Sequence, residues 1–312
     1  MTSVQDPSTS YLGKFKTMAS LGWSYRDEPY DPYWGPTSSK ANFCEEDYIV
    51  TRYIAELINT LTNLTYILYA IHGIYKNWGR KDAFLRNIPY LGIMSVGFGS
   101  ALFHATNKYY TQWADDLSML LATATVMHRV YTHDDTPLHA VLKGLGLAAF
   151  LTAFSVWHCM SDEIVGHSIL FGVMVVLVAT KTRSIISHRV EDPAVKKEVR
   201  KLARWGSVIF ISGYIIWNID NITCSWLTQA KRTIGMPLSF LLELHGWWHI
   251  FTGIGAYIFI ALVEYLTSED AGEPLPGRFA WPIDLFLRRP RSTSSISRAG
   301  YGTISAAPEN ID

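Results

Sequence analysis

Apolar residues along this chain gather in long runs rather than alternating singly. Stretches near 50–75, 88–107, 113–132, 138–158, 163–181, 205–226 and 238–266 are each long enough to cross a hydrocarbon core as helix, which takes about 20 residues for about 30 Å. The pattern predicts an all-α membrane protein, a bundle of about seven transmembrane helices over residues 49–266,. A polar arm over 1–48 precedes it and a tail over 267–312 follows. A longer basic loop is expected at 181–204, and the Ser/Arg-rich stretch from about 288 has a composition expected to be disordered,. No internal repeat stands out, which argues against a transporter built from inverted repeats.

Loop charge then orients the bundle, because Lys and Arg are retained on the cytosolic side. The first connection carries Lys76, Arg80, Lys81 and Arg86, the fifth carries eight basic residues from Lys181 to Arg204, and the tail carries Arg288, Arg289, Arg291 and Arg298. With seven spans these all fall on one side. The opposite connections hold only Lys108, Lys231 and Arg232. A lumenal N-terminus and a cytosolic C-terminus follow as expectations.

Composition agrees with a membrane setting. Charged residues make up 17% of the chain, below the roughly 25% of an ordinary soluble domain, and 11 Trp and 17 Tyr suit the headgroup level. A formal charge of zero gives no reason to expect a nucleic-acid partner, and no protein partner follows from the sequence. The first fifty residues lack the pattern of a removable signal peptide,. Cys44, Cys159 and Cys224 lack metal spacing,, and the topology puts all three near the lumenal surface, where disulfides form. One pair plus one thiol is the preferred reading, three reduced cysteines the alternative.

Ionisable groups inside spans are costly and mark function. The second predicted span ends in Ser100-Ala-Leu-Phe-His104, the third opens with Trp113-Ala-Asp115-Asp116, and the seventh opens with His245-Gly-Trp-Trp-His249. Each i, i+4 pair shares a helix face. Because successive spans alternate in direction, all three clusters reach the same lumenal depth. Three His ligands leave a fourth position of a tetrahedral zinc open for water, as in catalytic sites. Asp115 is then placed to accept and return a proton, with Asp116 either supporting it or serving as a helix-start acid, and Ser100 to hydrogen-bond the water or the developing oxyanion. A hydrogen-bonded interhelical contact or a haem pair would be the blander use of such histidines. His72, His128, His133, His139, His158, His167 and His188 are expected to be ordinary interfacial or exposed histidines.

Two further polar groups stand out. Asn42-Phe-Cys-Glu45-Glu46-Asp47, with Glu56 beyond it, offers oxygens that suit calcium, although a solvated acidic helix start accounts for it equally well. Glu56, Asn59 and Asn63 form an i, i+3, i+7 stripe that points to function or to a buried interhelical contact. In the sixth span, Trp217-Asn-Ile-Asp220 either lines a substrate cavity, contacting a polar headgroup, or braces that helix.

These residues together resemble the alkaline ceramidases, a family of seven-helix membrane hydrolases related to the adiponectin and progestin receptors. The resemblance covers about residues 32–266 and rests on Tyr33-Trp-Gly-Pro36, Cys44-Glu-Glu-Asp-Tyr48, Gly99-Ser-Ala-Leu-Phe-His104, Asp115, Trp217-Asn-Ile-Asp220 and His245-Gly-Trp-Trp-His249. It implies zinc held by His104, His245 and His249, with Asp115 and Ser100 assisting hydrolysis of the ceramide amide to a sphingoid base and a fatty acid. It also implies calcium held by Asn42, the Phe43 carbonyl, Glu45, Asp47 and Glu56, a disulfide between Cys44 and Cys224, and residence in the endoplasmic reticulum or Golgi membrane. The rival reading is a receptor of the adiponectin or progestin type, in which the zinc is structural or weakly hydrolytic.

Overall fold

The computed structural model describes residues 23–161 and 163–287. Within them the protein is built of helices, with no strand beyond an isolated bridge between Trp23 and Met236. The helices are α1 (Leu57–Thr62), α2 (Leu64–Lys76), α3 (Ala83–Thr106), α4 (Tyr109–Thr132), α5 (Pro137–Ser161), α6 (Ile164–Arg189), α7 (Pro193–Ile234), α8 (Leu244–Leu266) and α9 (Ile283–Leu287), with a 3-10 turn at Leu238–Leu242 before α8. Five of them, α3, α5, α6, α7 and α8, are long and apolar enough to cross a membrane. That fits a membrane protein.

The structure departs from the expected runs at two places. The run near 50–75 is divided at Asn63, where α1 and α2 meet, so neither half alone has the length of a span. The basic stretch 181–204 is helix rather than loop: α6 continues to Arg189 and α7 begins at Pro193. Asp192 caps the new helix by accepting from the Ala194 and Val195 N–H groups, and Pro at the first helical position needs no hydrogen bond there. Lys and Arg are good helix formers, so α7 runs on outside the apolar zone. Its 42 residues extend about 63 Å, twice a hydrocarbon core.

Packing is closest between α7 and α8 and between α3 and α4, and α8 is the central element. Its buried side chains, from His245 to Leu266, extend over nearly its whole length. By contrast α5 fully buries a single residue, His158; Leu147, Leu151 and Phe154 pack partly buried against α4 and α6, and most of its remaining apolar surface faces outward as a lipid-contacting helix's does. Residues 267–287, placed with the tail from sequence, pack back on the bundle through Leu275, Phe279, Ala280 and Ile283. Residues 288–312 lie outside the described residues, as do residues 1–22 of the arm.

Two glycines set the distances that matter most. A Cβ on Gly99 would meet the Ala114 carbonyl oxygen at 2.8 Å, so only glycine lets α3 close on α4 beside Ser100 and Asp115. A Cβ on Gly246 would stand 3.0 Å from Ile58 and 3.3 Å from Thr62, and its absence seats the start of α8 against α1.

Candidate metal centre

Three elements converge at one end of the bundle: the last turn of α3, the first two turns of α8, and the break-and-cap region around α1. They bring His104, His245 and His249 together, all buried, with one potential ligand atom from each lying within 4.8 Å of the others. Ring centroids are 5.0 Å apart for His104 and His245, 4.9 Å for His104 and His249, and 4.7 Å for His245 and His249.

The hydrogen bonds of these rings decide which nitrogens face inward. His104 Nδ1 bonds Glu56 Oε2 at 2.6 Å, and its buried Nε2 has no partner. The Thr62 hydroxyl donates to the Ile58 carbonyl, so it accepts from His249 Nδ1 at 2.9 Å and leaves Nε2 for another role. His245 Nδ1 is likewise buried without a partner. Leaving a buried polar atom unpaired costs about 1–3 kcal/mol, and two such atoms on the rings of one cluster fit a metal bound there. Nitrogen donors of this kind, oriented by a carboxylate and a hydroxyl behind them, are the donor set zinc prefers.

The partner acid stands close by. Ser100, buried on α3, lies beside the Asp115 carboxyl at the start of α4, and the Ser118 hydroxyl donates to the Asp115 carbonyl at 2.7 Å. Asp115 as a residue is half-buried. Phe43 covers one side of the site, its ring 3.7 Å from that of His245.

The acidic loop before α1 is folded against this centre. Glu45 caps α1, accepting from the Ile58 and Asn59 N–H groups at 2.7 and 2.8 Å, which satisfies donors a helix start leaves open. Asn107, in the left-handed region at φ 48°, donates its amide to both Asp47 Oδ1 (2.8 Å) and Glu56 Oε1 (3.1 Å). Its own Oδ1 is buried without a partner. Burial and the nearby Glu56 charge push the Asp47 carboxyl up to about 7, and burial, Glu243 and Glu56 push Glu45 up as well. Crowded acids with a spare amide oxygen beside them suit a hard cation. Asn42 is exposed and accepts from the Phe43 N–H at 2.9 Å.

Cys44 and Cys224 form a disulfide that ties the loop to α7, with Cα atoms 5.2 Å apart; Cys159 is outside that bridge. Asp220, fully buried on α7, accepts the Cys44 N–H at 3.2 Å through Oδ2, and its Oδ1 has no partner. Trp217 lies within an aromatic group, its ring 5.8 Å from Tyr214 and 6.4 Å from Trp248. The stripe Glu56, Asn59 and Asn63 is buried throughout, with Asn59 donating to Glu56 at 2.7 Å.

Sequence reasoning missed three features. Thr62 and Glu56 act as the orienting partners of His249 and His104, which no spacing rule announces. Lys231 is fully buried, donating to Glu243 at 2.7 Å and to the Cys44 carbonyl at 2.8 Å. His158 and His167, expected at the surface, are buried against α4, because each finds a hydrogen-bond partner at Asp116.

A helical bundle with apolar outer faces and, at one end, a buried group of three histidines that could hold a metal ion defines a membrane-type protein with a candidate metal centre. Comparison with known proteins takes the assignment further: residues 35–291 match the family model described as Ceramidase. Alkaline ceramidase YPC1 of Saccharomyces cerevisiae is 34% identical over 86% of this chain and 89% of its own length. Alkaline ceramidase 3 of Mus musculus is 31% identical over 75% of this chain and 85% of its own, and an alkaline ceramidase of Arabidopsis thaliana is 24% identical over 77% and 88%. This chain belongs to the alkaline ceramidase family.

Proposed function

We propose that the protein is a zinc-dependent ceramidase, hydrolysing the amide bond of ceramide to a sphingoid base and a free fatty acid. The observation that carries the metal part is the pair of unpaired nitrogens, His104 Nε2 and His245 Nδ1, on the rings of one buried three-histidine cluster. Family membership carries the substrate part. Its relatives bear the name alkaline ceramidase, which favours hydrolysis over the receptor reading.

His104, His245 and His249 would hold the ion. When bound, zinc supplies Lewis-acid activation of water and of the amide carbonyl. Asp115 accepts the proton of the attacking water and passes it to the departing nitrogen as the C–N bond breaks, so the hydroxyl ends on the acyl carbon. Ser100 orients the Asp115 carboxyl. Glu56 and Thr62 hold His104 and His249 with the correct nitrogen inward. Asp220, through its spare oxygen, and Trp217 are the proposed headgroup contacts.

Asn42, the Phe43 carbonyl, Glu45, Asp47 and Glu56 are proposed to bind calcium, supported by the crowded carboxylates and the spare Asn107 oxygen. Because Glu56 also orients His104, a cation there would steady the metal centre. In the membrane, we place α1 with α2 as one broken span and α4 as another, which with the five apolar helices makes seven. Basic residues gather at the end opposite the histidines, so that end faces the cytosol and the N-terminus the lumen of the endoplasmic reticulum or Golgi.

The test is direct. Detergent-purified protein should contain zinc and release fatty acid from ceramide, and chelation should stop the reaction until zinc is restored. Metal-free protein with full activity would refute the zinc assignment, and zinc-loaded protein inert on a ceramide panel would refute the substrate.

A further inference from the structure

The single buried residue of α5 is a histidine. His158 is 1% exposed on a helix whose other side chains are exposed or only partly buried. A membrane helix has no reason to bury an imidazole for packing alone, since apolar residues serve better and a buried polar group needs partners.

Its partners restrict its chemistry. His158 Nδ1 lies 2.9 Å from the Glu163 carbonyl oxygen, which only accepts, so Nδ1 carries a proton. Its Nε2 lies 3.2 Å from Asp116 Oδ2. With a neutral ring and an ionised carboxylate, two lone pairs would face each other there. One proton must therefore lie between Asp116 and His158, whichever atom holds it. From α6, His167 grips the same residue differently: its Nε2 donates to the Asp116 carbonyl at 2.8 Å. Glu163 is otherwise engaged, its carboxyl accepting the Val165 N–H at 2.7 Å.

We infer that Asp116, His158 and His167 form a proton-holding clamp that fixes the second turn of α4 and so positions Asp115 for catalysis. The clamp acts on the backbone next to the catalytic acid: His158 holds the Asp116 side chain, His167 holds its carbonyl, and Ser118 holds the Asp115 carbonyl. It joins α5 and α6, which pack only lightly on each other, to the helix that carries the acid. Asp116, His158 and His167 are positioning residues; none is asked to touch substrate. The inference rests on the ceramidase reading for its effect on rate and on geometry alone for the shared proton.

Two measurements test it. In steady-state ceramide hydrolysis, Asp116→Ala and His158→Phe should each lower kcat about tenfold or more with KM changed little, since a small misplacement of a reacting group is costly. Zinc content should stay near wild type, and the loss should persist when activity is counted per folded molecule. Asp116→Asn should restore most of kcat, because its amide donates to a neutral His158 Nε2. Unchanged kcat in the first two variants, or losses matched by lost zinc or by fewer folded molecules, would overturn the positioning role. The second measurement needs no activity: in 15N-histidine NMR, the His158 signals, identified by their absence in His158→Phe, should shift in Asp116→Ala. They should not respond to Ser100→Ala. Insensitivity to Asp116 would overturn the clamp, whereas wild-type protein inactive on ceramide with the NMR result intact would reject only the ceramidase reading.

Discussion

Buried polar groups occur at both ends of this bundle, and at the histidine end, beside the satisfied Lys231–Glu243 pair, several of them are left without a partner. At the end away from the histidines, Glu264 accepts from Tyr90 at 2.6 Å and from Arg86 at 3.4 Å, while Arg86 also reaches Asp82 at 2.5 Å. Charge there is answered by charge within the protein. At the histidine end, His104 Nε2, His245 Nδ1 and Asn107 Oδ1 have no partner, and Glu45, Asp47 and Glu56 crowd together. A satisfied buried network stabilises a fold; an unsatisfied one points to a ligand.

The sharpest way to break this contrast is to remove a donor from the unsatisfied end. His245→Ala should abolish ceramide hydrolysis, a loss of about a thousandfold or more, and lower zinc content by metal analysis. Retained activity would put the centre elsewhere. Next, Asp115→Asn should keep zinc yet lower kcat about a hundredfold to ten thousandfold, the usual range for a lost proton-transfer group.

At the satisfied end the same kind of change should act on stability. Glu264→Ala leaves the buried Arg86 with one fewer acid and should cost about 3–5 kcal/mol, read as a lowered unfolding midpoint, with activity per folded molecule unchanged. If activity fell with stability intact, the two ends would not be distinct in kind. Removing calcium while keeping zinc should lower the melting temperature reversibly, by the equivalent of about 3 kcal/mol for an ion present at a hundred times its Kd; no change would leave the acidic loop a helix cap only. Smallest of all, Arg232→Ala breaks the partly exposed pair with Glu46 and should cost less than about 1 kcal/mol.

How far each end could be read from sequence follows from how local its signals are. The spacing of His245 and His249 is a property of one helix, and the depth shared with His104 follows from alternating spans. Pairing a histidine with its orienting partner is not local: Glu56 precedes His104 by 48 residues and Thr62 precedes His249 by 187. His158 and His167 look interfacial because they flank a short connection. Only the approach of α4 shows that both have a buried partner. The 181–204 stretch looks like a loop because it is charged, yet charge on a helix is compatible with water and merely ends the apolar zone.

By itself, then, the order of residues determined the apolar runs, the side on which positive charge collects and the placement of three histidines, a serine and an acid at one depth. Those depend on composition and helical period, which short segments carry. Tertiary structure alone decided the inward-facing nitrogens, the Glu56 and Thr62 supports, the buried Lys231–Glu243 pair and the clamp on Asp116. Each of these is a hydrogen bond between segments remote in sequence, and its existence depends on close packing that no single segment encodes.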